Sequence, residues 1–350
     1  MSGIADRLAR GIAHGGPIPV AQYMAEANAH YYATRDPLGA AGDFTTAPEI
    51  HQMFGEMIGI WCADLWQRAG RPARVLYVEP GPGRGTLARD ALRVMARFGF
   101  APEVHLIETS PTLRARQAEL VPGAVWHDGI ETVPEDAPLL LVANEFLDAL
   151  PVRQIVRAGA GWRERMVGMI DGAFAPIAGD RPMDAAVPPA WRDAAEGAVI
   201  ETSPAGAAFM GEIGRRLAAQ GGGALVIDYG HAAPVLGSTL QAVRDHARAD
   251  PFAAPGEADL TALVDFAAMR DAAVAGGARA LGVAGQGAWL GAMGIAARAQ
   301  TLMQAGPERA RDVAVALHRL TAAEAMGELF KVLGLAGGEW PAGAGFPEEK

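Results

Sequence analysis

Half of this 350-residue chain is hydrophobic, enough to bury a full core, so disorder is excluded as the default. Its 30 basic and 40 acidic residues sum to a net charge of −10 with no extended basic run, which excludes the electrostatic footprint that nucleic-acid backbones require. A single cysteine, Cys62, forbids an intrachain disulfide, and no apolar run reaches the roughly 18–20 residues of a membrane span. A reducing cytoplasm is the expected setting, with neither nucleic acid nor membrane insertion.

Residues 1–70 read as a helical lobe: Val20 to Ala33 and Glu49 to Arg68 carry apolar residues at mixed three- and four-residue spacing, with a loop from Thr34 to Pro48 between them. Over 71–151 the texture changes to short β runs alternating with helices, which calls for a parallel sheet. Strands are expected at Arg74–Glu79, Glu103–Glu108, Ala124–Trp126 and Leu139–Ala143, with helices at Gly85–Arg97 and Pro111–Leu120. Segment 152–222 begins with polar and apolar residues alternating around Gly159-Ala-Gly161 and Asp171-Gly172, the signature of inserted antiparallel hairpins, and ends in a helix from Pro204. Over 223–350 a buried run Gly223–Asp228 and later runs Ala278–Val283 and Leu329–Leu335 complete an α/β sheet of about seven strands. Asp259, Thr261 and Asp265 read as a helix start, with Asp259 as its cap.

The chemistry gathers at Glu79-Pro-Gly-Pro-Gly-Arg-Gly85, where a strand, a Gly-x-Gly-x-Gly turn and a helix make a nest of backbone amides at a helix N-terminus. A dinucleotide pyrophosphate favours G-x-G-x-x-G; the amino-acid end of S-adenosylmethionine favours an acid-led G-x-G-x-G. Position 86 is Thr, so the dinucleotide fingerprint is broken at its third glycine and the spacing of Gly81, Gly83 and Gly85 behind Glu79 selects S-adenosylmethionine. Glu108 closes the next strand, where a carboxylate takes two ribose hydroxyls. Asp128, before Gly129, stands where an adenine amino group would be met or forms a plain Asp-Gly turn. The eight histidines show no paired metal spacing, so no metal is expected.

Several longer blocks carry a resemblance: Gly42-Asp-Phe-Thr-Thr-Ala-Pro-Glu-Ile50 with Gln52-Met-Phe-Gly-Glu56, the glycine turn, Asn144-Glu-Phe-Leu-Asp-Ala-Leu-Pro151, Ile227-Asp-Tyr-Gly230, and Asp259-Leu-Thr-Ala-Leu-Val-Asp-Phe266. From about Tyr23 to Val332 the chain resembles the MidA-type methyltransferases, the family of the mitochondrial complex I assembly-factor arginine methyltransferase. The resemblance implies a class I methyltransferase Rossmann-like core using S-adenosylmethionine, and an arginine on a protein client as acceptor. Two positions depart from the family's pattern: Leu263 replaces a histidine and His51 a serine.

A guanidinium is always protonated and delocalised, so an acceptor nitrogen must be localised by carboxylates through bidentate hydrogen bonds. Glu145 and Asp148, beside Asn144 at the carboxyl end of a buried strand, are the expected carboxylates; a helical turn there would set them on one face. Asp43, Phe44, Thr45, Thr46 and Glu49 read either as a capped loop, with Thr46 as N-cap, or as a lid over donor and acceptor that Gln52 also faces. Asp228 and Tyr229 either line the acceptor pocket or cap the turn after their strand. Small-molecule methyl transfer and a donor-binding assembly role without essential turnover are the competing readings; Thr86 disfavours a nicotinamide enzyme.

Overall fold

The computed structural model describes residues 3–34, 46–244 and 247–346, which divide into two compact units. One comprises Thr45–Leu147, Ala208–Ala232 and Phe266–Lys350, and in it the alternation of apolar runs and helices resolves as a single sheet. Helices α1 (Ala47–Ile50) and α2 (Met53–Arg68) precede β1 (Leu76–Pro80); α3 (Thr86–Arg97) leads to β2 (Glu103–Ile107), and α4 (Pro111–Leu120) to β3 (Val125–His127). Then come β4 (Leu139–Asn144), β5 (Gly222–His231), β6 (Arg279–Gly285) and β7 (Phe330–Ala336). Every residue of β1 and β4 is buried, as strands covered on both faces must be.

The strands lie in the order β6-β7-β5-β4-β1-β2-β3. Neighbours from β5 to β3 pair parallel, and β7 runs antiparallel to both β5 and β6. These seven strands are the ones expected from the sequence. The chain moves outward from β1 to β2 and β3, then returns to lay β4 on the other side of β1. That reversal opens a crevice outside the carboxyl ends of β1 and β4, where open α/β sheets bind ligands.

Helix α2 packs on α3 because Gly55 and Gly59, one turn apart, remove the side chains that would hold the backbones away. A Cβ on Gly59 would stand 2.5 Å from the Ala91 carbonyl oxygen, against a wall of backbone that cannot swing aside. Gly59→Ala is therefore expected to cost about 1–3 kcal/mol, the usual penalty of overpacking. The check is a lower urea midpoint at unchanged m-value; an unmoved midpoint would show that the helices separate freely.

The other unit is assembled from Met1–Phe44, Asp148–Ala207 and Ala233–Asp265. Ile4 and Leu8 of helix Ile4–Gly15 join Tyr23, Met24 and Ala27 of helix Val20–Thr34 and Val152, Val167, Phe252 and Leu260 in one buried cluster. The predicted hairpin pairs Gly161–Ile170 with Ala173–Pro182. It turns on Asp171 and Gly172, at φ +52° and +81°, the left-handed pair that a tight hairpin requires. Asp259–Thr261 corrects the sequence reading. It is a buried strand pairing with Gln241–Arg244, and its carboxylate accepts the Tyr32 hydroxyl at 2.9 Å instead of capping a helix.

Candidate active site

Glu79 is buried near the end of β1, where its Oε2 accepts the Tyr77 hydroxyl at 2.6 Å. Burial pushes its pKa up to about 8, against the opposing pull of that hydrogen bond. Near neutral pH the carboxyl therefore favours its protonated form until a positive group comes to it. Beyond it Gly81, Gly83 and Gly85 take φ values of +61°, +54° and +85°, and the turn is pinned at both ends. The Gly81 N–H donates to the Ile107 carbonyl at 3.0 Å, and the Gly85 N–H to the Pro82 carbonyl at 2.8 Å. A Cβ on Gly81 would come within 3.1 Å of the Phe146 ring. Thr86, where a dinucleotide turn carries its third glycine, uses its hydroxyl to donate to Glu49 Oε1 at 2.6 Å, so this position ties α1 to α3.

Glu108 follows β2, in the place the sequence assigned to the ribose carboxylate. Its Oε1 accepts the Ser110 N–H at 2.8 Å and its Oε2 the Gln117 amide at 3.3 Å. Burial raises its pKa, while the hydrogen bonds from Ser110, Gln117 and Thr109 and the charge of Arg114 hold it down. Arg114 donates to the Glu108 carbonyl at 2.6 Å and to Asp128 Oδ1 at 2.6 Å, leaving Asp128 largely exposed just past β3. The sequence reading passed over a further pair on these strands. His105 Nδ1 and His127 Nε2 lie 2.9 Å apart, and His127 Nδ1 lies 2.9 Å from Thr132 Oγ1. The Thr132 hydroxyl is committed as donor to the Gly129 carbonyl, so each ring carries its proton on Nδ1. Burial is the main cause holding both imidazoles below their usual range.

At the end of β4 the expected helical turn does not form. Glu145 instead adopts φ +50°, the left-handed region. The cause is Asp228 on β5, fully buried, whose Oδ2 accepts the N–H groups of Phe146 and Leu147 at 3.1 and 3.0 Å and whose Oδ1 accepts that of Tyr229 at 2.9 Å. These amides would have no partner within a first helical turn, and a carboxylate eighty-odd residues away takes them. Asp228 thus caps a neighbouring turn as well as its own chain, and Tyr229 packs edge-on against Phe330 at 5.5 Å. Glu145 Oε1 accepts the Ala47 N–H of α1 at 3.1 Å and the Asn144 side-chain amide at 3.2 Å. Thr46 is not the side-chain cap expected of it: its carbonyl accepts the Glu49 N–H at 3.0 Å, its hydroxyl makes no cap bond, and Glu145 serves α1 from across the sheet. Gln52 is half-buried immediately before α2.

Residues 145–150 form no helix, so Glu145 and Asp148 do not share the helix face the sequence suggested, and Asp148 belongs to the other compact unit. Within that unit it is buried, its carbonyl accepts the Ala262 N–H at 3.0 Å, and its charge adds to burial and Asp259 in keeping the Tyr32 hydroxyl protonated. Asp43, Phe44 and Thr45 lie outside the described residues.

S-adenosylmethionine fits what these residues offer. The glycine turn is a cradle that a side chain at Gly81 would crowd, and Glu108 stands one strand over. Asn144 Oδ1, at the carboxyl end of β4, is buried with no hydrogen-bond partner among the described residues, and so suits a donor N–H from a ligand. Among the described residues no three His, Cys, Asp or Glu side chains converge as a metal site, and no helix is long and apolar enough to cross a membrane.

Residues 57–284 match a family model that describes S-adenosyl-L-methionine-dependent methyltransferases. The chain is 36% identical to the mitochondrial protein arginine methyltransferase NDUFAF7 of Danio rerio over 364 residues, covering 94% of this chain and 85% of that protein. It is 36% identical to the Homo sapiens protein of the same name over 334 residues, covering 84% and 74% of the two chains. A Burkholderia thailandensis protein crystallised with S-adenosyl-homocysteine superposes with a TM-score of 0.85 at 30% identity, over 98% of this chain and 93% of that one.

Proposed function

The chain belongs to the S-adenosyl-L-methionine-dependent methyltransferase family, and from that premise we propose that it methylates an arginine side chain of a protein, a respiratory complex I-type subunit or another assembly client. The observation that carries the acceptor is the likeness, along 94% of the chain, to a relative named as a protein arginine methyltransferase. We assign Glu79, Gly81, Gly83 and Gly85 to the amino-acid end of the donor and Glu108 to its ribose, with Asp128 at the adenine edge and Thr46 and Gln52 beside the donor. Asp43, Phe44, Thr45 and Glu49 complete that assignment as the acceptor-side lid.

The donor supplies an electrophilic methyl group on a sulfonium sulfur; the protein supplies alignment and a dry site. Glu145 is the proposed catalytic carboxylate. Held in a left-handed turn by Asp228, with Asn144 against its Oε1, it presents a fixed acceptor to a guanidinium and concentrates the lone pair on the nitrogen that takes the methyl. A single buried cysteine, Cys62, whose thiol burial holds protonated, fits a reducing cytoplasmic location.

The test is a proteome-wide search for methylated arginine in a deletion strain. One protein should lose its modified arginine, and the wild-type gene should restore it where a Glu145→Gln gene does not. Unchanged methyl-arginine in the deletion strain would refute the acceptor.

A further inference from the structure

Helix α4 is unusual in what it buries. Leu113 and Leu120 stay partly accessible, and Gln117 is the residue it buries fully. An apolar side chain would occupy that position without the desolvation penalty of an amide, which is acceptable only when each polar atom is paired. Here they are. Gln117 Nε2 donates to the Gly83 carbonyl at 2.7 Å and to Glu108 Oε2 at 3.3 Å, and Gln117 Oε1 accepts the Trp126 indole N–H at 2.8 Å. The indole can only donate and the carbonyl can only accept, so the amide has a single workable orientation.

One side chain thus grips the middle of the glycine turn, the carboxylate after β2 and the strand beyond it. We propose that Gln117 is the positioning residue of the donor site: without touching the donor, it locks the turn that receives the amino-acid end to the carboxylate that receives the ribose, so that the two ends bind as a unit. This rests on the assignment of Glu108 to the ribose. The lock has a second effect. Glu108 is half-buried, and the groups that favour its charge are the Ser110 and Thr109 amides, Gln117 and the Arg114 guanidinium, itself shared with Asp128. Taking away Gln117 removes one of these from the face of the carboxylate that points toward the turn.

The experiment measures S-adenosyl-homocysteine affinity by calorimetry across pH for wild type, Gln117→Leu, Glu108→Gln and the double variant, with donor KM and kcat for the single variants. Gln117→Leu is expected to raise Kd and donor KM about tenfold, the scale of a buried hydrogen bond to a charged group, with kcat falling less than about threefold. The acidic limb of its affinity profile should move to higher pH, because Glu108 becomes harder to ionise, and the Leu effect should shrink in the Glu108→Gln background. A role confined to packing would lower thermal stability and leave the pH profile in place. Equal effects of Gln117→Leu with and without Glu108, or an unmoved profile, would overturn the proposal while leaving the donor site standing. Unchanged affinity in Glu108→Gln alone would overturn the ribose assignment beneath it. If Gln117→Leu does not fold, Trp126→Phe, which frees the amide to turn over, should give a smaller shift in the same direction, and no shift overturns the lock.

Discussion

A Gly81→Val protein should bind S-adenosyl-homocysteine at least about a hundredfold more weakly than wild type while keeping its fold, because two independent costs converge on one residue. The backbone there sits at φ +61°, a region that costs a β-branched residue of order 1–3 kcal/mol. The added side chain also begins 3.1 Å from the Phe146 ring, beside the turn that receives the donor. Relaxing the backbone to escape the first cost means moving the Gly81 N–H off the Ile107 carbonyl, and with it the register between turn and sheet. Calorimetric affinity within threefold of wild type would show that the amino-acid end of the donor lies elsewhere.

The second large effect is on turnover. Glu145→Gln is expected to lower kcat by about a hundredfold or more with donor affinity nearly unchanged, since a neutral amide neither balances nor localises a guanidinium charge. The substitution is chosen for what it spares. Glutamine retains an Oε1 that can accept the Ala47 N–H, and it reaches a left-handed backbone as readily as glutamate does, so the turn made by Asp228 should persist. Single-turnover methylation of the identified client, beside the affinity for S-adenosyl-homocysteine, separates the outcomes. Loss of both together would mean that Glu145 holds the donor; retention of turnover would remove it from the reaction.

What the sequence disclosed and what it hid divide along one physical line. The strand β4 is a nearly unbroken apolar run, β1, β2 and β5 are apolar-rich, and the glycine turn with its leading Glu79 and Glu108 is written within thirty residues, so both were legible from local pattern. Glu145 was legible as a strand-end carboxylate, but its conformation was not. The amides that decide it bond to Asp228, 82 residues downstream from Phe146, and a dipeptide such as Asp228-Tyr229 reads as a local cap when its partner is unseen. Gln117 was invisible for a related reason. A glutamine in a helix of Arg, Gln and Glu looks solvated, and only the arrival of Gly83, Glu108 and Trp126 around it shows otherwise. Asp259–Thr261 went wrong because a three-residue strand that opens on an acid carries too little alternation to compete with a capping signal.

The position of β7 has a consequence for how the protein is made. It is the last strand of the sheet to leave the ribosome, yet it inserts between β5 and β6 and bonds to both. Until residue 336 has emerged, β5 and β6 both lack the neighbour they bond to, and their unsatisfied backbone groups are open to capture by any stray extended segment. Biogenesis of this enzyme therefore turns on a late closing step, and interruption of synthesis just short of Phe330 would release a product disposed to aggregate even with its whole glycine turn already in place.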